Sequence, residues 1–226
     1  MYRFINSTDP KIIGQEDFQI KAIPNHDYLA EKSIRWINFD KPIDYEPYLK
    51  SFIINHRSKL TDMLSHISNA FLINEKLLNI FLQSNIEHYQ YFESNVIYHK
   101  KDYKYYFFFI YGQDYSLVDY QNMKFWAMDE RYYYENKTRR MEAKIDKPET
   151  LINWAKIKTY PYVEYPYLEY EALKLNHVNI HTDMIRLPFL LDGSYFVSEA
   201  LKSKIEAAKC TGVDFDTVAR RGKPII

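Results

Sequence analysis

Two hydrophobic periods alternate along this chain, and one combination of them occurs twice. In Leu72-Ile73-Asn74-Glu75-Lys76-Leu77-Leu78-Asn79-Ile80-Phe81, and again in Phe196-Val197-Ser198-Glu199-Ala200-Leu201-Lys202-Ser203-Lys204-Ile205, two apolar residues lead into Asn or Ser and then Glu. Asn and Ser side chains accept the free amide hydrogens of a first helical turn, and Glu there meets the positive end of the helix dipole. Each stretch therefore predicts a helix with a fixed start, burying Leu77, Leu78 and Phe81 in one and Leu201 and Ile205 in the other. After each helix the pattern returns to alternation, in Tyr89-Gln90-Tyr91 and in Val213-Asp214-Phe215. Leu201 follows Leu77, and Phe215 follows Tyr91, by the same 124 positions, so the two read as related strand-helix-strand units. Gly212 suits the residue past the end of the second helix; His88 holds the matching place in the first, which must stop its helix in another way. Nothing in the repeat is catalytic, because its Asn or Ser and its Glu are the types a helix start needs.

The remaining pattern is less regular. Residues 1 to 48 hold short apolar pieces such as Phe18-Gln19-Ile20 and Ile34-Arg35-Trp36-Ile37, read as short strands and turns, and Phe52-Ile53-Ile54 adds another strand. Leu60, Met63, Leu64 and Ile67 recur at helical spacing and predict a helix from about Lys59 to Asn69. Strands are expected from Ile86 to Tyr98 and from Tyr103 to Tyr111, around a polar turn at His99-Lys100-Lys101-Asp102. The core of the second, Tyr105 to Tyr111, is apolar on both faces and is expected to be central and covered on both sides. Gly112-Gln113-Asp114 marks a turn, Leu117 to Tyr120 a strand, residues 135 to 149 a loop or surface ribbon, and Thr150 to Ile157 a short helix. Val178 to Ile180 and Met184 to Leu187 lead into the second unit, with Asp192-Gly193 as a turn and a loose basic tail after Phe215. The sum is an α+β protein with mainly antiparallel sheet, one domain over 1–226 that could divide into lobes at about 1–125 and 126–226.

Composition narrows the function classes. The chain has 226 residues and balances 30 Lys and Arg against 30 Asp and Glu, so no overall field draws it to nucleic acid or an anionic membrane. A single cysteine, Cys210, forms no internal disulfide, the N-terminus lacks a signal-peptide pattern, and no apolar run approaches a membrane span; the cytoplasm is the expected location. With 22 Tyr and 14 Phe against 5 Gly, the chain suits sheets with wet faces and partner-binding surfaces rather than phosphate-cradling loops. Neither GxGxxG nor GxxxxGK[ST] occurs.

The second unit, from Ile185-Arg186-Leu187 through Phe196-Val197-Ser198-Glu199-Ala200-Leu201 to Thr211-Gly212-Val213-Asp214-Phe215, resembles the C-terminal signature of immunity family eleven of the bacterial polymorphic toxin systems, formerly a domain of unknown function. Ile73-Asn74-Glu75-Lys76-Leu77 and the strands up to Val118-Asp119-Tyr120 are similar to that family's middle region, so the resemblance covers about 68–125 and 177–218. Asn74 departs from the family's more frequent Ser, and His88 from its small or turn residue. The resemblance implies a protein without enzymatic activity or cofactor that binds and blocks a cognate toxin.

Several residues carry candidate chemistry with a duller role beside it. His177 and His181, with Asp183 nearby, could share a metal, but four residues apart converge only on a helix, and the β-branched neighbours favour a strand. His88 and His99 are weaker candidates still, and Cys210 reads as a packed thiol near a helix end. Lys100-Lys101-Asp102-Tyr103-Lys104-Tyr105-Tyr106 mixes base and aromatic as single-stranded nucleic-acid sites do, yet alternation places the lysines in water, and Asp102 and Asp114 dilute the charge. Arg139-Arg140 and Arg220-Arg221 read as solvated. The stretch expected to touch a partner is Tyr160 to Glu171, with Tyr162, Glu164, Tyr165, Tyr167, Glu169, Tyr170 and Glu171 as contact residues. Tyr rings give contact area at small entropic cost, Pro161 and Pro166 stiffen the backbone, and the carboxylates suit a basic toxin surface. The same features also describe a protected sheet edge, because Pro lacks a ladder donor and cannot sit in a central strand. The expected partner is a cognate toxin domain, with no nucleic acid and no membrane, and a homodimer is compatible with the sequence. The alternatives are an enzyme with a dispersed active site and a single-stranded nucleic-acid-binding module.

Overall fold

The computed structural model describes residues 1–15, 19–22, 30–49, 51–64, 70–112, 114–128, 140–156, 167–187, 191, 193–219 and 223–226. In chain order its first elements are β1 (Tyr2–Asn6), α1 (Pro10–Ile13), β2 (Ile20–Ala22), β3 (Phe52–Ile54), β4 (Met63–Leu64), β5 (Phe71–Ile73), α2 (Glu75–Leu82), β6 (Tyr89–Tyr98) and β7 (Lys101–Ile110). There follow β8 (Phe125–Met128), β9 (Arg140–Ala143), α3 (Pro148–Lys156), β10 (Tyr167–Tyr170), β11 (Met184–Arg186), β12 (Tyr195–Val197), α4 (Glu199–Ala207), β13 (Val213–Asp216), β14 (Val218–Ala219) and β15 (Lys223–Pro224). Helices and mainly antiparallel sheets make this an α+β protein; only β3 and β6 run parallel among the named strand pairs.

Both predicted helices start where the sequence places them. Asn74 Oδ1 accepts from the Leu77 amide at 3.1 Å, and Ser198 Oγ accepts from the Leu201 amide at 3.0 Å. Glu75 and Glu199 follow in the first turns, and Leu77, Leu78, Phe81, Leu201 and Ile205 are buried. The long hairpin β6–β7 is also as expected, turning at His99 and Lys100, whose φ values of 48° and 63° form the left-handed pair that matches strand twist. From Tyr105 to Ile110, β7 is buried on both faces.

Sheet order puts the two strand-helix-strand segments in separate sheets. A six-stranded sheet runs β2-β3-β6-β7-β5-β4, and a four-stranded sheet runs β11-β12-β1-β13. Phe71 pairs with Phe108, which also pairs with Tyr91; Tyr195 pairs with Phe4, which also pairs with Phe215. The strand between the two strands of a unit is thus β7 in the first sheet and the N-terminal β1 in the second. One core fills the space between the sheets and the two helices, with Phe4, Met63, Phe71, Phe81, Phe108, Met184, Tyr195 and Ile205 among its buried members. On the far face of the four-stranded sheet, Ile185 and Phe196 join a second core with Phe125, Leu151 and Tyr170 from the three-stranded sheet β10-β8-β9 and α3.

Several sequence expectations differ from the structure, among them the loose tail after Phe215, which instead pairs β14 with β15 and bridges Leu173 through Ile225. Met63 and Leu64 form β4 and pair with Ile73 and Leu72, so no helix spans the described part of 59–69. Thr61 Oγ1 donates to the Met63 carbonyl at 2.6 Å, and Asp62 is taken up by long-range contacts, so tertiary pairing overrides a helical stripe of four residues. Leu117 ends one 3-10 turn (Tyr115–Leu117) and Tyr120 opens another (Tyr120–Asn122), so the expected strand shrinks to an isolated antiparallel bridge from Val118 to Leu175; Asp114 caps the first turn, accepting from the Ser116 amide at 2.8 Å. The charged stretch 135–149 contains β9, paired with β8, and the start of α3 at Pro148, a residue pre-set for a helix's first position. Val178, at 79% exposure, lies in a 3-10 turn (His177–Asn179) rather than a strand.

Tyr105 ties β7 to the segment entering β4. Its hydroxyl donates to the Thr61 carbonyl at 2.7 Å, and burial raises its pKa, so it remains a donor at any working pH. Tyr105→Phe should cost about 1 kcal/mol in urea unfolding, the worth of one buried hydrogen bond.

Candidate functional site

Two places concentrate polar groups. The first is a reciprocal brace between the sheets, built on a tripeptide that occurs twice, Thr61-Asp62-Met63 and Thr182-Asp183-Met184. Met63 pairs with Ile73 and Met184 with Val197, and each Thr hydroxyl donates to the carbonyl of its Met, at 2.6 and 2.7 Å. Each Asp holds the helix cap of its own unit: Asn74 Nδ2 donates to Asp62 at 2.8 Å, and Ser198 Oγ donates to Asp183 at 2.6 Å. The second carboxylate oxygen of each reaches across to the chain leaving the other helix. Asp62 Oδ2 accepts from the Thr211 amide at 2.6 Å and its hydroxyl at 2.9 Å, and Asp183 Oδ2 accepts from the Asn85 amide at 3.0 Å. Burial pushes the Asp62 pKa up, but the Thr211 amide, Asn74, the Thr211 hydroxyl and the Lys76 charge together outweigh it, and the net shift is downward.

The second place is an open cleft of about 640 Å³ where the end of β7, the 40–42 segment and β11 meet. Asp40, Lys41, Glu87, His88, Asp114 and His181 stand around it, and Arg186 lines it. Arg186 is 5% exposed, stacks 5.4 Å from the Phe39 ring and donates through Nη1 to the Phe39 carbonyl at 3.2 Å, while its Nε has no hydrogen-bond partner among the described residues.

The chain matches no family model, no curated protein and no solved structure. Its function must therefore be argued from its own residues.

Of the residues expected to meet a partner, Tyr162, Glu164 and Tyr165 lie outside the described residues. Tyr167 and Glu169 lie on β10, opposite Met128 and Trp126, in an outer strand of the three-stranded sheet. Tyr170 is 6% exposed and belongs to the second core, so its ring supports the sheet from inside; Glu171 is exposed. His181 lines the cleft and His177 opens a 3-10 turn, while Asp183 is engaged in the brace. Among the described residues no three His, Cys, Asp or Glu side chains gather as a metal site. Lys104 pairs with Glu93 at 2.6 Å on the hairpin surface. No helix among the described residues is long and apolar enough to cross a membrane.

Sequence reasoning missed both Arg186 and the brace. The repeated Thr-Asp-Met was a usable signal, hidden because the second copy lies three residues farther from its helix cap than the first. For Arg186 the signal was a lone cation inside the apolar run Met184 to Leu187.

Cys210 is half-buried; burial raises its pKa, the Lys76 charge opposes and the Asp62 carboxylate reinforces the rise. The thiol is therefore protonated at neutral pH, and its reaction with a thiol reagent should be roughly tenfold slower in the folded protein than in urea.

Proposed function

We propose that this protein binds a cognate bacterial toxin and neutralises it by stoichiometric occlusion, without turnover. Support comes from the resemblance carried by Ile73 to Leu77 and by Ile185 to Phe215, and from the position of β10. That strand pairs on one side only among the described residues, so Tyr167 and Glu169 lie in a sheet edge, where a partner's backbone and basic side chains can be met together. Glu171 is exposed at its end. Co-expression with toxin domains encoded next to the gene tests this: survival together with a co-purified complex of fixed stoichiometry is the expected result. Tyr167→Ala with Glu169→Ala should then weaken the complex by about 2 kcal/mol, as loss of interface anchors does. Persistent toxicity despite soluble protein would remove the proposal.

We also infer that the two strand-helix-strand segments are copies of one unit. The common strand order, the shared spacing from Phe71 and Tyr195 to their exit strands, and the doubled Thr-Asp-Met support it. Equivalent caps should be exchangeable. Asn74→Ser combined with Ser198→Asn should cost under about 1 kcal/mol, whereas Ala at either position should cost about 1–2 kcal/mol; equal losses from exchange and from Ala would count against equivalence.

A further inference from the structure

We propose that the cleft lined by Arg186 binds a small carboxylate ligand whose charge is balanced by an ammonium group, an amino-acid-like zwitterion. The inference does not depend on the toxin reading. Arg186 is 5% exposed and its guanidinium cannot lose its proton, so it is a buried permanent charge. Such a charge is normally matched by a carboxylate, because desolvation is otherwise uncompensated. Among the described residues no acid lies within ion-pair distance of it; its polar contact is the Phe39 carbonyl, and Nε is left without a partner. The guanidinium is therefore one half of an ion pair, and it lines a cleft large enough to admit the other half.

The rim identifies the rest of the ligand. Asp40, Glu87 and Asp114 outnumber Lys41 as fixed charges around the opening, and all four are exposed. A multiply charged phosphate would meet three carboxylates on its way to one guanidinium. A carboxylate carrying an ammonium a few atoms away places its anionic end at Arg186 and its cationic end among the acids, so both charges are matched. The planar guanidinium edge also fits a carboxylate's two oxygens better than a single acceptor.

The test titrates the whole protein with L-lysine, acetate and inorganic phosphate, following the arginine Nε–H resonances and the thermal midpoint. L-lysine should shift the Arg186 resonance saturably and raise the midpoint, with acetate weaker by at least about tenfold and phosphate weaker still. Arg186→Met should abolish the L-lysine effect while the ligand-free midpoint holds or rises, because an unmatched charge has been removed. Glu87→Gln, at an exposed rim position, should weaken L-lysine without changing acetate, and it keeps the test decisive if Arg186→Met does not fold. The proposal is overturned if L-lysine leaves resonance and midpoint unmoved, if phosphate or acetate binds as tightly as L-lysine, or if Arg186→Met or Glu87→Gln binds L-lysine as the parent does.

Discussion

Gly212→Ala is expected to lose about 3 kcal/mol or more of folding stability, a large share of the total for an ordinary domain. Gly212 has φ of 79°, a region that costs a residue with a Cβ about 1–2 kcal/mol. The second cost is spatial: a Cβ there would lie 2.1 Å from the Met63 carbonyl oxygen and 2.7 Å from Thr61 Oγ1. Neither can withdraw cheaply. Met63 is held in β4 and its amide donates to the Thr211 carbonyl at 3.1 Å, while Thr61 Oγ1 donates to the same Met63 carbonyl. The glycine is therefore where the chain leaving α4 closes against β4 of the other sheet, with its own carbonyl accepting from the Ser7 amide at 2.9 Å. Gly112→Ala is the matched control. Its φ is 89° but no atom beyond its chain neighbours lies within 4 Å of the added carbon, so it should cost only the backbone share, about 1–2 kcal/mol. Urea unfolding followed by circular dichroism separates the two; equal losses would mean that the contact with β4 yields easily.

That pair of glycines shows which parts of the fold the sequence could carry. Gly212 was readable as a residue beyond a helix end, and His88, 124 positions earlier, also takes a left-handed φ, of 55°. The helix starts at Asn74 and Ser198 and the buried run of β7 were readable because their causes are local: a side-chain acceptor, a dipole, a period. The identity of the strand lying beside each unit was not. β1 closes the four-stranded sheet from the far end of the chain, and nothing within Tyr2 to Asn6 names Tyr195 or Phe215 as its neighbours. Met63 and Leu64 failed for a related reason, since a stripe of four residues is satisfied equally by a helix and by an edge strand that packs both faces. The site was less legible than the fold. Arg186 looks like one charged residue in a strand until its neighbours are known, and Tyr170 looks like a contact residue until β10 is seen to turn it inward.

The doubled aspartates should divide stability between them. Asp62→Ala leaves the Thr211 amide, the Thr211 hydroxyl and Asn74 Nδ2 without this acceptor, while the half-exposed Lys76 Nζ keeps the Lys209 carbonyl, and a loss of about 3–5 kcal/mol is expected from three hydrogen bonds to a mostly buried carboxylate. Asp183→Ala releases the Ser198 hydroxyl and the Asn85 amide and should cost less, about 2–3 kcal/mol. Asp62 also gives the fold an acid limit. Because its folded pKa lies below the ordinary carboxyl value, its contribution is complete above the unfolded value, near 4, and is lost as pH falls through the folded value. Asp62→Asn should accordingly be less stable than the parent at neutral pH, and the gap should narrow on acidification as the parent's carboxylate takes up its proton. Unfolding free energies measured from pH 7 downward would show this directly. A gap that stayed constant through the acid range would mean that Asp62 acts through its shape and hydrogen bonds alone, with no part for its charge.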